Sequence, residues 1–237
     1  MTQENLNKQI IITAILLMAV VLFFQFTDSD LIFQKLFYDF ETKSWIIDRN
    51  DNILKFLFYS GFKKLFIIFS ILIILLTIIS FFKKFELLQK YKKGLIILSL
   101  SVILVPSLSS LKNITNVPCP VNIIEFGGNS PDVKILERYP KDYIQETKQR
   151  CWPAGHVTMG FSLMALYFLF KNPRNKKIAL ISAITVGILT GGYKILIGDH
   201  FLSHTLVTMI LAWLIIIIIV KYTSLLEKVK FEKPTKV

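Results

Sequence analysis

Apolar residues fall in blocks along this chain rather than at the spaced positions of a soluble amphipathic domain. Runs of roughly 18–20 apolar residues, enough to cross about 30 Å of hydrocarbon, recur through it. Six spans are predicted, at about 9–26, 65–82, 94–111, 156–170, 178–197 and 201–220. The third is weaker because it carries Pro106 and scattered serines, and the fifth is interrupted by Gly191, Gly192 and Lys194. The expected fold class is an all-α integral membrane protein, a six-transmembrane-helix bundle forming one domain over 1–237. The first long loop, "DLIFQKLFYDFETKSWIIDRNDNILKFLFYSGFKK", mixes aromatics with charges and predicts short interfacial helices. Anchoring is the simpler role for it, and substrate access the other.

Composition agrees with the pattern: 53% of the 237 residues are hydrophobic, 20 of them Phe. A net charge of +12 would suggest nucleic acid in a soluble protein. Here the cations crowd the ends of spans, which removes that class of partner. Lys83, Lys84, Lys90, Lys92 and Lys93 fill the second connection. Lys171, Arg174, Lys176 and Lys177 fill the fourth, and Lys221, Lys228, Lys230, Lys233 and Lys236 the tail. Such density marks the cytoplasmic side. The loops at about 27–64 and 112–155 then face outward and both termini are cytoplasmic. Glu4 in the charged leader, with no A-x-A site after the apolar run, makes the first span a permanent one.

This topology brings distant residues to one level. Lys112 closes the third span, His156 opens the fourth, Lys194 lies near the end of the fifth, and His200 and His204 open the sixth. All five land on the outer face. A lysine inside an apolar span faces a cavity or a partner, or snorkels to the interface; a second lysine and three histidines at the same level favour an anion site. Pro153 and Gly155 precede His156, and a helix start offers free N–H donors to phosphate.

His200 and His204, four apart, are expected on one helix face. A metal pair is one reading, but the intervening Phe201, Leu202 and Ser203 lack the activating glutamate of H-E-x-x-H, and nothing specifies Asp199 or His156 as a third ligand. The other reading is a nucleophile and its orienter. No metal or cofactor is expected. Cys119 and Cys151 share the second outer loop, where an oxidising compartment would favour a disulfide; two separate thiols are the alternative.

These residues resemble the type 2 phosphatidic acid phosphatase superfamily of membrane lipid phosphatases. Its motifs K-x6-R-P, P-S-G-H and S-R-x5-H-x3-D find counterparts in "KNITNVPCP" (Lys112 to Pro120), "PAGH" (Pro153 to His156) and "YKILIGDHFLSH" (Tyr193 to His204). Spacing and order are kept. The resemblance implies a catalytic set of His200 as nucleophile, His156 as general acid and His204 at the orienting position. Lys112, Lys194 and the backbone at Gly155 would hold phosphate oxygens. It departs from the family at Cys119 for Arg, Ala154 for Ser, Lys194 for Arg and His204 for Asp. Arg150, just before "CWPAGH", stands where it could supply the missing guanidinium.

The pattern also resembles a bacterial branch of the superfamily. It implies an inner-membrane enzyme facing the periplasm, with the bilayer and a membrane lipid phosphate as partners and no obligate protein partner. Lipid A phosphates and undecaprenyl pyrophosphate head the expected substrates, ahead of phosphatidic acid and phosphatidylglycerol phosphate. Lipid-to-lipid phosphotransfer and a non-catalytic lipid-phosphate carrier are the alternatives.

Overall fold

The computed structural model describes residues 2–232, so the tail lysines Lys233 and Lys236 lie outside the described residues. Long helices dominate. Helix α1 spans Gln3–Phe26, started by Thr2, whose hydroxyl accepts the N–H of Asn5 at 3.2 Å. A hydroxyl at that position satisfies one of the orphan donors of a helix start. The first outer loop holds α2 (Ser29–Lys35), a two-residue hairpin of β1 (Tyr38–Asp39) and β2 (Ser44–Trp45), and α3 (Asn52–Lys55). A π-helical turn over Phe56–Ser60 joins α3 to α4 (Gly61–Ile79). Then come α5 (Glu86–Ser107), α6 (Lys112–Thr115), α7 (Val157–Ser162), α8 (Pro173–Leu196) and α9 (Leu202–Glu232).

Among the described residues, five helical stretches are long and apolar enough to cross a bilayer: Gln3–Phe26, Asn52–Ile79, Glu86–Asn122, Pro173–Leu196 and Leu202–Leu226. The fourth expected span is the segment not among them. There α7 passes into a 3-10 helix over Leu163–Phe168, giving a twelve-residue apolar rod, Val157–Phe168. Its length is about 21 Å at the ordinary rises, short of the ~30 Å of hydrocarbon. Apolar composition here serves the interior. Val157, Phe161 and Ala165 are fully buried between α5, α8 and α9. At Gly160 an added Cβ would lie 2.9 Å from the Cα of Gly187, so α7 and α8 cross in near backbone contact.

The core runs through Leu98, Val105, Phe161, Ala212 and Ile216, with α9 packed against α1, α5 and α7. By contrast α1 and α4 leave apolar side chains such as Ile15 and Leu65 outside, as a lipid-facing surface would. A second cluster of Tyr38, Trp45, Ile123, Phe126 and Phe201 joins the two outer loops to the head of α9.

Candidate active site

One end of the bundle gathers the ends of α5, α8 and the starts of α7 and α9. The sequence sets each of these ends. Pro106 is carried inside α5, which then tightens into a 3-10 turn at Leu108–Leu111 and delivers Lys112 before Asn116 (φ 54°) stops the chain. Helix α8 closes at Gly198, whose φ of 75° is the left-handed turn that glycine adopts freely. That turn lets the amides of Asp199 and His200 both donate to the carbonyl of Lys194, at 2.8 and 3.2 Å. His200 therefore precedes α9, which begins at Leu202. This corrects the expectation of two histidines on one helix face.

The three motif segments are tied to one another. The amide of Cys151 donates to the Val117 carbonyl (3.1 Å), and that of Val121 to Gly198 (2.9 Å). Thr115 donates to the Trp152 carbonyl at 2.6 Å, and the amide of Ala154 donates to Thr208 of α9 at 3.0 Å. Cys119 and Cys151 are disulfide-bonded. Their sulfurs and a ring nitrogen of His200 lie within 4.8 Å of one another, but sulfurs joined to each other offer no thiolate to a metal.

Between these segments lies an open cavity of about 440 Å³. Lys112, Arg150, Gly155, His156, Lys194 and His200 all line it, so six of the seven predicted site residues share one wall. Lys112 folds directly over Gly155: an added Cβ there would meet its Cε at 2.8 Å. The seventh, His204, is not on this wall. Its ring lies edge-on behind that of His200, centroids 5.7 Å apart, and it borders a different cavity.

The first long loop and the helical stretch after it contribute residues that no motif announces. Arg49, Tyr59 and Lys63 also line the cavity, and so does Asp199. Asp199 holds Lys194 at 2.7 Å and Arg49 at 2.8 Å. Lys194, 8% exposed, also sits 4.1 Å above the Tyr59 ring. Residue 199 lies in the turn after α8 and not in a helix, which lets its carboxylate face the cavity. Five cationic side chains against one carboxylate leave an excess of four positive charges around the cavity.

The histidines are held differently. His156 donates Nε2–H to the carbonyl of Phe58 at 3.1 Å and stacks obliquely on Tyr59, centroids 4.5 Å apart. Nδ1 of His200 lies 3.2 Å from Sγ of Cys151. A disulfide sulfur has no hydrogen, so any hydrogen bond between them is donated by Nδ1 and leaves Nε2 bare. Burial holds the His200 imidazole well below its ordinary range, and Lys112, His204, Lys194 and His156 push in the same direction. A neutral ring with a free lone pair is what nucleophilic attack requires.

A cationic cavity with two imidazoles at the end of an apolar helix bundle defines a membrane protein built to act on a phosphate-like anion. Residues 94–227 match the family model described as the PAP2 superfamily, and the chain belongs to that superfamily. Its members are generally phosphatases, which places the chain's activity in the hydrolysis or transfer of phosphate esters. No curated protein and no solved structure matches the chain significantly.

Proposed function

We propose that the protein is a metal-independent lipid phosphatase of a bacterial inner membrane, acting at the periplasmic face on a phosphate whose lipid tail stays in the bilayer. The observation that carries this reading is the shared cavity of Lys112, Gly155, His156, Lys194 and His200. Nε2 of His200 attacks phosphorus and the P–O bond to the lipid breaks. His156, charged to the imidazolium once the negative substrate lies in the cavity, gives its Nε2 proton to the departing oxygen, exchanging Phe58 for the leaving group and ending as the neutral ring. Water then attacks the phosphohistidine and releases inorganic phosphate, with the proton returned to His156. Lys112, Lys194, Arg150 and the backbone at Gly155 compensate charge, the chief demand of phosphoryl transfer.

The topology that goes with this reading keeps six crossings. Helix α8 runs 24 residues, about 36 Å, back to the site. Residues 157–172 must cover a comparable depth before it, and a 3-10 segment at ~2.0 Å per residue extends further than an α-helix does. Both termini are then cytoplasmic, in keeping with the basic loops.

A diphosphate fits better than a monoester among the candidate lipids. The main cavity continues into a second of about 220 Å³ bordered by Arg49, Asn50, Lys55 and Tyr59. The excess positive charge suits more than one phosphate. Purified protein in EDTA, offered isoprenyl diphosphate, isoprenyl monophosphate, lipid A and phosphatidic acid, tests the reading. Phosphate release that disappears in His200→Ala supports it. Loss of activity in EDTA revives a metal mechanism, and no turnover of any lipid phosphate favours a carrier. Phosphate appearing on a second lipid instead of in water favours the transferase.

A further inference from the structure

His204 occupies the position where the third motif of the superfamily has a carboxylate, yet it faces away from the catalytic cavity. It borders a separate cavity of about 40 Å³ enclosed by α1, α2, the second outer loop and α9. The residue is 2% exposed and its Nδ1 has no hydrogen-bond partner among the described residues. Buried polar nitrogens are nearly always paired, through water where protein does not reach. A space of this size holds about two or three waters.

Asp30 of α2 borders the same cavity. Its Oδ1 accepts the amide N–H of Ser203, at 2.9 Å, from the residue immediately before His204. A carboxylate from another element thus sits at the first turn of α9, on the cavity that His204 also borders. Three other charged groups border the cavity: Asp28 and Lys134, paired at 3.1 Å, and Asp132. Asp30 differs from them in being fixed to the backbone of α9 itself.

We infer that Asp30 is the positioning carboxylate for the nucleophile, acting through water in this cavity on Nδ1 of His204 and through His204 on His200. The inference rests on His200 being the nucleophile as proposed above. His200 gains a positive ring when it attacks phosphorus. With Nε2 on phosphorus and Nδ1 against Cys151, that ring has no nitrogen left for His204, so the Asp30 charge stabilises it through space, across the edge-on His204 ring. Burial raises the Asp30 carboxyl to about 6, against the stabilising bonds from Ser203, with Asp132 raising it and Lys134 lowering it slightly. The relay should therefore weaken as the pH falls through that value.

The test uses the full-length protein with Asp30→Asn, which keeps an oxygen acceptor for the Ser203 amide and removes the charge. The expected result is a kcat at least tenfold below wild type with KM within threefold, and loss of the wild-type decline in kcat near pH 6. The double variant Asp30→Asn with His204→Asp should return kcat to within about threefold of wild type, an outcome a merely structural role of Asp30 would not give. A kcat of Asp30→Asn within twofold of wild type, or a folded double variant no faster than Asp30→Asn, overturns the inference. A readout independent of turnover comes from the ¹⁵N resonances of the three histidines. Asp30→Asn should move those of His204 and His200 and leave His156 in place. Unmoved His204 resonances overturn the relay even if the wild-type protein hydrolyses nothing, whereas wild-type inactivity with moved resonances overturns only the phosphatase reading.

Discussion

Asp199 reaches back 2.7 Å to Lys194, five residues earlier, across the turn made by Gly198. The pair is a restraint on the very cation proposed to hold phosphate. With 10% and 14% of their side chains exposed, neither charge is well hydrated, so each depends on the other. Arg49 shares the carboxylate from the outer loop at 2.8 Å. Substitutions at the two residues should therefore move anion binding in opposite directions. Lys194→Ala removes a charge-assisted contact and should weaken inhibition by inorganic phosphate about 10–100-fold. Asp199→Asn removes the competing carboxylate and should strengthen it roughly tenfold, while lowering the thermal midpoint because Lys194 loses its buried partner. Inhibition constants measured against one substrate decide the matter. A change in the same direction for both variants would show that Asp199 orders the site and does not compete for Lys194.

His156 carries a proton on Nε2, since a carbonyl can only accept the bond it makes to Phe58; burial and then Lys194 pull the ring down to about 4, so it acts as an acid only as the imidazolium that a bound phosphate anion favours. If that proton goes to the leaving oxygen, its worth depends on how poor the leaving group is. His156→Ala should cost about 10²–10⁴ in kcat on a lipid alkoxide. On an aryl phosphate, whose leaving oxygen needs little help, the loss should be under about tenfold. Equal losses on the two substrates would remove His156 from the acid's role and leave it a phosphate contact.

Much of this site was legible before any coordinates. The expected span topology placed Lys112, His156, Lys194, His200 and His204 together, because helices ending at one membrane face bring their terminal residues to one level, and all but His204 line the cavity. Arg49, Tyr59 and Lys63 escaped notice for the complementary reason. Arg49 reaches the cavity through a loop whose path is set by a hairpin and by aromatic packing of Tyr38 and Trp45 on Phe126, and Tyr59 and Lys63 reach it from the π-helical turn and the first turn of α4. None of these leaves a periodic trace in sequence. The fourth segment is where hydropathy says least: it counts apolar residues and does not register that this helix is short and buried by its neighbours. The expectation of His200 and His204 on one helix face failed on one assumption, that α9 begins early enough to include His200. Gly198 was the available signal, since a glycine beyond a helical run marks a stop and places the next residues in a loop.

Cys119 and Cys151 close a loop with a sequence separation of 32, and both flank motif segments. Chain-entropy arguments give such a closure about 3–4 kcal/mol. The double variant Cys119→Ser with Cys151→Ser should lower the thermal midpoint by several degrees and reduce kcat, because Cys151 also abuts Nδ1 of His200. Wild-type protein in reductant should reproduce both effects, and the variant should be indifferent to it. A reductant-insensitive wild type with unchanged midpoint would indicate that the backbone bonds between Cys151, Val117, Val121 and Gly198 hold the segments without the bridge.

Stability and activity should part company at Asp30. Its carboxyl is raised from 3.8 to about 6, chiefly by burial. Between those values the folded protein keeps a proton that the unfolded chain has released, so the folded state binds more protons and stability falls as pH rises through the window. Above pH 6 the whole penalty applies. Two pKa units correspond to a ceiling of about 3 kcal/mol. Asp30→Asn escapes the penalty while keeping the cap on Ser203. The variant should therefore melt several degrees higher than wild type at pH 7.5, with the difference shrinking to nothing by about pH 4. The same substitution is expected to slow turnover, so a gain in midpoint with a loss in kcat is the signature of a charge held in place for function. A variant that melts lower than wild type at pH 7.5 would mean that Ser203 and Lys134 stabilise the ionised carboxylate more than burial opposes it. Asp30 would then be a structural cap alone.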